Sequence, residues 1–180
     1  MTHNSEYLQI AIKVILLGQS YIIFFRKFSS RRPPSPMSDQ EKTLEKILER
    51  VAARFNEVGY KSLSEVEKVF HCVWVFEAEL NNGEFDQFSS NSSGDLAHES
   101  VEALKFIGAK YTSGLLEKGI AVFPKGKVPK DALKRQGIEI DSKGQDRLEK
   151  LEEKFYEYRD DLGALLYQYA QIHLGELNSH

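Results

Sequence analysis

From Ser38 onward, apolar residues return every three or four positions, the spacing of one face of an α-helix. Leu44, Ile47, Leu48, Val51, Phe55 and Val58 form the first such stripe, and Gly59 supplies its stop. A second stripe opens at Ser64-Glu65-Val66-Glu67, a capping-box pattern. It runs through Val66, Val69, Phe70, Val73, Trp74 and Leu80 to a predicted break at Asn81-Asn82-Gly83. Its apolar face is broad, which places this helix at the centre of the core. Ser93-Gly94-Asp95 reads as the start of a third helix, continued by Leu96, Ala97, Val101, Leu104 and Ile107 to Gly108. Tyr111, Leu115, Leu116, Ile120 and Phe123 predict a fourth, stopped by Pro124, and Pro129 opens a short helical piece through Leu133, ended by Gly137. Two more follow, one on Leu148, Leu151, Phe155 and Tyr158, the other on Leu162, Leu165, Leu166, Tyr169 and Leu174. Only Gly137-Ile138-Glu139-Ile140 hints at an extended piece. The pattern predicts an irregular all-α bundle of about six to seven helices.

The residues before Ser38 follow another pattern. Residues 7–25 are mostly Leu, Ile, Val, Phe and Tyr, and a Pro-rich linker at 32–36 separates them from the rest. The length suits a membrane span, which needs about 20 apolar residues. The content does not, since a mid-span lysine such as Lys13 costs roughly 2.5 to 3.5 kcal/mol on insertion. Three readings stand: a start codon placed too early, with Met37-Ser38-Asp39 the natural beginning; a weak anchor; or a peripheral helix. The expected organisation is an N-terminal extension over 1–36 and one helical domain over 37–180.

The 180 residues are 41% hydrophobic and 28% charged, an ordinary balance for a globular protein and unlike a disordered or fibrous one. Cys72 is the only cysteine, so no internal disulfide exists and no cysteine cluster offers zinc ligands. A reducing, cytoplasmic location is expected, with Cys72 packed as a small hydrophobe.

Charge changes the picture more. The net charge of -3 conceals a strong separation along the chain. Residues 64–102 carry nine carboxylates against Lys68, a balance of -8, while residues 103–138 carry eight basic groups against Glu117 and Asp131, a balance of +6. Such a dipolar chain does not attract nucleic acid in bulk, but it suits an oriented, charged protein partner.

Within the acidic tract, Asn81, Asn82, Gly83, Asp86, Gln87, Asn91, Ser92 and Ser93 form a dense polar cluster. It reads either as a ligand-binding loop, with amides and helix-start N–H groups able to receive an anion, or as a turn with a capped helix behind it. Glu77, Glu79, Glu84 and Asp86 lack the Glu-x-x-His company of carboxylate metal sites, because His98 has Asp95 at that spacing. No metal or other cofactor is expected. His71 and His173 read as packing and helix-end residues. Neither a Gly-x-Ser-x-Gly elbow nor a phosphate-cradling glycine loop is present.

The strings Glu79-Leu80-Asn81-Asn82-Gly83-Glu84-Phe85-Asp86-Gln87-Phe88, Asn91-Ser92-Ser93-Gly94-Asp95 and Glu102-Ala103-Leu104-Lys105-Phe106-Ile107-Gly108-Ala109 resemble a bacterial family of small helical domains, largely of unassigned function. That family is named after a DNA-mimic protein. Phe123-Pro124, Phe155-Tyr156 and Asp160-Asp161-Leu162 extend the resemblance over about residues 38–174. It implies an all-α fold, a cytoplasmic protein and, for the name-giving member, a dimer whose acidic surface imitates DNA phosphates toward a DNA-binding transcription factor. The chain departs from such mimicry in one respect: Lys105 to Arg135 form a basic counter-stretch.

The leading expectation is a non-enzymatic interaction module that presents an acidic face to a basic protein, a transcription factor by resemblance, without binding nucleic acid itself. Its binding residues are Glu77, Glu79, Asn81, Asn82, Glu84, Asp86, Gln87, Asn91, Ser93, Asp95, Glu99 and Glu102. An enzyme or small-molecule binder is the first alternative, and it predicts a concave site where Asp86, Gln87, Asn91 and Ser93 converge. An immunity or stress accessory protein is the second. The leading expectation requires that the carboxylates not be tied up by the lysines of the chain's own later half.

Overall fold

Two capping boxes begin the fold. The Ser38 hydroxyl accepts from the Glu41 N–H while the Glu41 carboxylate accepts from the Ser38 N–H, and Ser64 and Glu67 repeat the exchange. The computed structural model describes residues 38–177, apart from the side chains at positions 82, 83, 84 and 86. Its helices are α1 (Asp39–Val58), α2 (Glu65–Ser90), α3 (Ala97–Phe106), α4 (Lys110–Ile120), α5 (Ala132–Gln136), α6 (Ser142–Phe155), α7 (Leu162–Ile172) and α8 (Leu174–Leu177). Short 3-10 turns lie at Tyr60–Ser62, Ser92–Leu96 and Pro124–Gly126. The described residues contain no strand, so the all-α reading holds. The N-terminal extension lies outside the described residues. Within them, no helix is long and apolar enough to cross a membrane.

α2 is the axis of the bundle, packing against α1, α3, α5, α6 and α8, while α3 packs on α4, α4 on α6 and α1 on α7. Its residues Phe70, Val73, Phe76 and Leu80 are fully enclosed. Phe76 meets Phe88 edge-on at 5.3 Å and Phe155 of α6 at 5.7 Å, the geometry that places a ring's positive edge against a neighbour's negative face. Cys72 is buried as expected, and burial pushes its thiol up to about 11. His71 stacks on Phe55 at 4.1 Å, and burial lowers it to about 4.

The glycine stops at Gly59 and Gly108 fall where the pattern predicts, both at positive φ. Other boundaries differ: the fourth helix ends at Ile120, short of Phe123, and the last stripe is divided between α7 and α8. The short helix after Pro129 begins only at Ala132, where the Asp131 side chain accepts from the Lys134 N–H. Gly137 to Ile140 form no strand; Ile138 and Ile140 pack against the core instead. Most consequentially, α2 does not break at Asn81-Asn82-Gly83 but continues to Ser90.

That continuation is a tertiary effect. Glycine inside a helix costs about 1 kcal/mol relative to alanine, and asparagine competes with the backbone for hydrogen bonds. Three groups from α6 and the turn after it meet the weak point. The Glu152 carboxylate accepts from the Phe85 N–H at 2.9 Å, the Tyr156 hydroxyl donates to the Leu80 carbonyl at 2.8 Å, and the Tyr158 hydroxyl pairs with the Asn81 amide. Glu152→Ala should therefore lower stability by about 2 kcal/mol in urea unfolding and speed hydrogen exchange at the Phe85 amide. Unchanged exchange at that amide would show that the helix holds itself together there.

Candidate functional site

Extending α2 through the polar cluster changes what the cluster does. Gln87 on the continued helix, Asn91 at its cap and Ser93 in the 3-10 turn beyond all reach back to Glu79, a carboxylate near the middle of α2 that is only 3% exposed. Its oxygens accept from Gln87 Nε2 at 2.6 Å, Asn91 Nδ2 at 3.0 Å and Ser93 Oγ at 2.9 Å. Three donors of this kind satisfy a buried carboxylate that would otherwise cost several kcal/mol. The convergence foreseen for a binding loop is real for Gln87, Asn91 and Ser93, but its focus is the chain's own glutamate. Ser93 is thus a hydrogen-bond donor within this cluster and not the helix cap foreseen from its sequence context; the 3-10 turn begins after Asn91 instead.

A second node sits at the carboxyl end of α2. Helix ends leave carbonyls without intrahelical partners and carry partial negative charge. Arg135, 3% exposed, donates from Nε to the Ser89 carbonyl, from Nη2 to the Asn91 carbonyl and from Nη1 to the Pro129 carbonyl, each at 2.6 Å. Its Nη1 also pairs with Asp95 at 2.5 Å, and Gln136 Nε2 donates to the Ser90 carbonyl. A planar guanidinium with five donors can serve so many acceptors at once; a lysine cannot. The guanidinium passes directly over Gly94, where an added Cβ would stand 2.7 Å from Arg135 Nε and 2.7 Å from the Ser89 carbonyl oxygen.

The remaining carboxylates of the tract divide between burial and pairing. Glu77 is 1% exposed, its Oε1 has no hydrogen-bond partner, and burial, then the Asp161 charge, raise it well above the usual carboxylate range. Asn81 is held by Tyr158. Glu65 pairs with Lys68 at 2.7 Å and Glu67 with Arg54 at 3.0 Å. On α3, Glu99 pairs with Lys130 at 2.5 Å, and Glu102 shares Lys105 with Glu117 of α4 at 3.0 and 2.8 Å. The side chains of Asn82, Glu84 and Asp86 lie outside the described residues.

Two expectations are thereby corrected. Glu77 and Glu79 do not lie on an open face, because α2 is covered on that side. Asp95, Glu99 and Glu102 are at or near the surface, but each faces a cation of the basic stretch 103–138: Arg135 and Lys130 from across the fold, and Lys105 from one turn along α3. The sequence carried a signal for this in its opposed charge blocks, although Arg135 as the central donor was not singled out. Among the described residues, no group of three or more His, Cys, Asp and Glu side chains is placed to hold a metal ion.

The remaining quoted motif residues have places in the same scaffold. The Asp160 carboxylate accepts from the Thr112 N–H at the start of α4, Asp161 caps α7 through the Ala164 N–H, and Phe155 and Leu162 are core residues. A family model for DMP19-like protein matches residues 61–173, from just before α2 to the end of α7. The chain belongs to the DMP19-like protein family. No curated protein and no solved structure matches it. The match covers both the Glu79 cluster and the Arg135 node, so the family's segment is the one whose polar residues are committed to holding α2.

Gly94→Ala should destabilise the fold by about 2 kcal/mol, as overpacking against backbone does, with the loss read by thermal or urea unfolding. For Glu77, the native state keeps a proton that the unfolded chain loses above the ordinary value of 4.5. Its contribution to stability therefore falls as pH rises from there through the raised native value, and levels off beyond it. Glu77→Gln should remove that fall, so its stability advantage over the parent grows with pH and vanishes in acid. His71, lowered to about 4, acts with the opposite sign between about 6.5 and 4 and cancels in the comparison. A constant difference across pH would contradict the assignment.

Proposed function

We propose that this protein is a non-enzymatic interaction module that engages a basic protein partner, a DNA-binding regulator in the manner of a DNA mimic. The observation that carries the reading is membership of the DMP19-like family over residues 61–173, which contain the acidic tract. The geometry supports a binder over an enzyme at the polar cluster, since Glu79, Gln87, Asn91 and Ser93 satisfy one another and leave none of these groups to act on a substrate.

The ion pairs of α3 are compatible with this role. Glu99, Glu102 and Glu117 meet their lysines in contact with water, where competition from solvent keeps such pairs weak. A partner's arginines can take the place of Lys105 and Lys130 while the carboxylates stay where the fold has set them. Electrostatic complementarity of this kind raises association rate and orients the encounter. The lone, buried Cys72 accords with a reducing, cytoplasmic setting for that encounter.

Affinity capture with the full chain, followed by binding measurements on the captured protein, tests the proposal. The expected partner is a basic DNA-binding protein that duplex DNA displaces. Its affinity should fall steeply between about 0.1 M and about 1 M salt, as the Debye length shortens from about 10 Å to about 3 Å. A partner retained undiminished at molar salt, or one indifferent to duplex DNA, would contradict it.

A further inference from the structure

His98, Glu102, Lys105 and Phe106 fall at i, i+4, i+7 and i+8 on α3, one stripe of the helix, and all four are exposed. Beside the stripe lies a hollow of about 330 Å³ lined by His98, Val101, Glu102, Glu117, Ile120 and Gly126. Its apolar components come from Val101 and Ile120, and its carboxylates come from two different helices. Lys105 Nζ already stands between those carboxylates, 3.0 Å from Glu102 and 2.8 Å from Glu117. Phe106 closes the stripe with its side chain 71% exposed, a large apolar group left in water next to paired acids.

We propose that this α3 stripe and the adjoining hollow form the docking surface for an arginine side chain of a basic protein partner, with Lys105 as an internal counter-ion that the arginine displaces. Charge complementarity selects the occupant. Two carboxylates converging on one point match a planar guanidinium, which donates to both in parallel, better than an ammonium. Val101 and Ile120 offer apolar contact to the aliphatic stem that an arginine buries while its head stays at the polar rim. The Phe106 ring adds a face on which a second guanidinium can lie. This deepens the interaction reading and rests on it, naming where the partner sits and what it must first dislodge.

Titration calorimetry of the full-length chain with an octa-arginine peptide, and with octa-lysine for comparison, tests the surface. The arginine peptide should bind several-fold more tightly than the lysine peptide. Phe106→Ala and Glu117→Gln should each weaken it about fivefold, and Lys105→Ala should strengthen it about threefold, in line with truncations at an interface centre. Asp146→Asn and Glu153→Gln, on the exposed face of α6, should change nothing. All these side chains are exposed, so the variants keep the fold, which circular dichroism confirms. No binding of octa-arginine, or affinities unmoved by Phe106→Ala and Glu117→Gln, would overturn the surface. So would an oligomer that Phe106→Ala dissolves, since the face would then belong to a second copy. A captured DNA-binding partner whose affinity ignores these variants sinks the surface alone, whereas arginine binding here with no such partner sinks the broader reading alone.

Discussion

Arg135 sets its guanidinium inside the protein at the carboxyl end of α2, where it gathers the last carbonyls of that helix and the Asp95 carboxylate around one cation. A charge removed from water is tolerable only when its hydrogen bonds are met and its charge is paired; here three carbonyls accept from the guanidinium and the Asp95 carboxylate supplies the opposite charge. The arrangement answers several needs together. It neutralises the negative end of a 26-residue helix, fixes the 3-10 turn that follows, and ties α5 to the centre of the bundle. Gly94 is small because the guanidinium crosses it.

The same economy governs the rest of the negative charge. Inside, Glu79 is satisfied by amide and hydroxyl donors, and burial drives Glu77 toward its neutral form. At the surface, Glu99 and Glu102 face Lys130 and Lys105. A tract with one lysine along the sequence is further relieved in space, by Arg54 of α1 and by the basic stretch folded back beside Asp95, Glu99 and Glu102. What the outside of α3 retains is a set of carboxylates whose lysine partners stand in contact with water, together with an exposed Phe106.

The fold class and the helix ends at Gly59 and Gly108 were legible in the sequence because their causes are local: a periodic apolar face and a glycine at positive φ. The passage of α2 through Asn81-Asn82-Gly83 was not, since its supports lie 67 to 77 positions away at Glu152, Tyr156 and Tyr158. Local propensity favours a break there, and tertiary hydrogen bonds outweigh it. The site was half legible for a related reason. Composition located Gln87, Asn91 and Ser93 as a polar group, but only the continuation of α2 and the 3-10 turn folded behind it decide whether such residues face a ligand or Glu79. The pairing of opposite charge blocks was visible as a possibility in the counts and became specific only with the placement of Arg135.

The account stands most directly on the coupling between Arg135 and Asp95. A double-mutant cycle with Asp95→Asn and Arg135→Met, read by urea unfolding, isolates that coupling from the separate costs of each change. An interaction energy of about 1 kcal/mol is predicted, as expected for a contacting pair with one partner buried and the other screened by water. Additive single effects would mean that Asp95 and Arg135 do not stabilise one another, and the account of the node that closes α2 would fall.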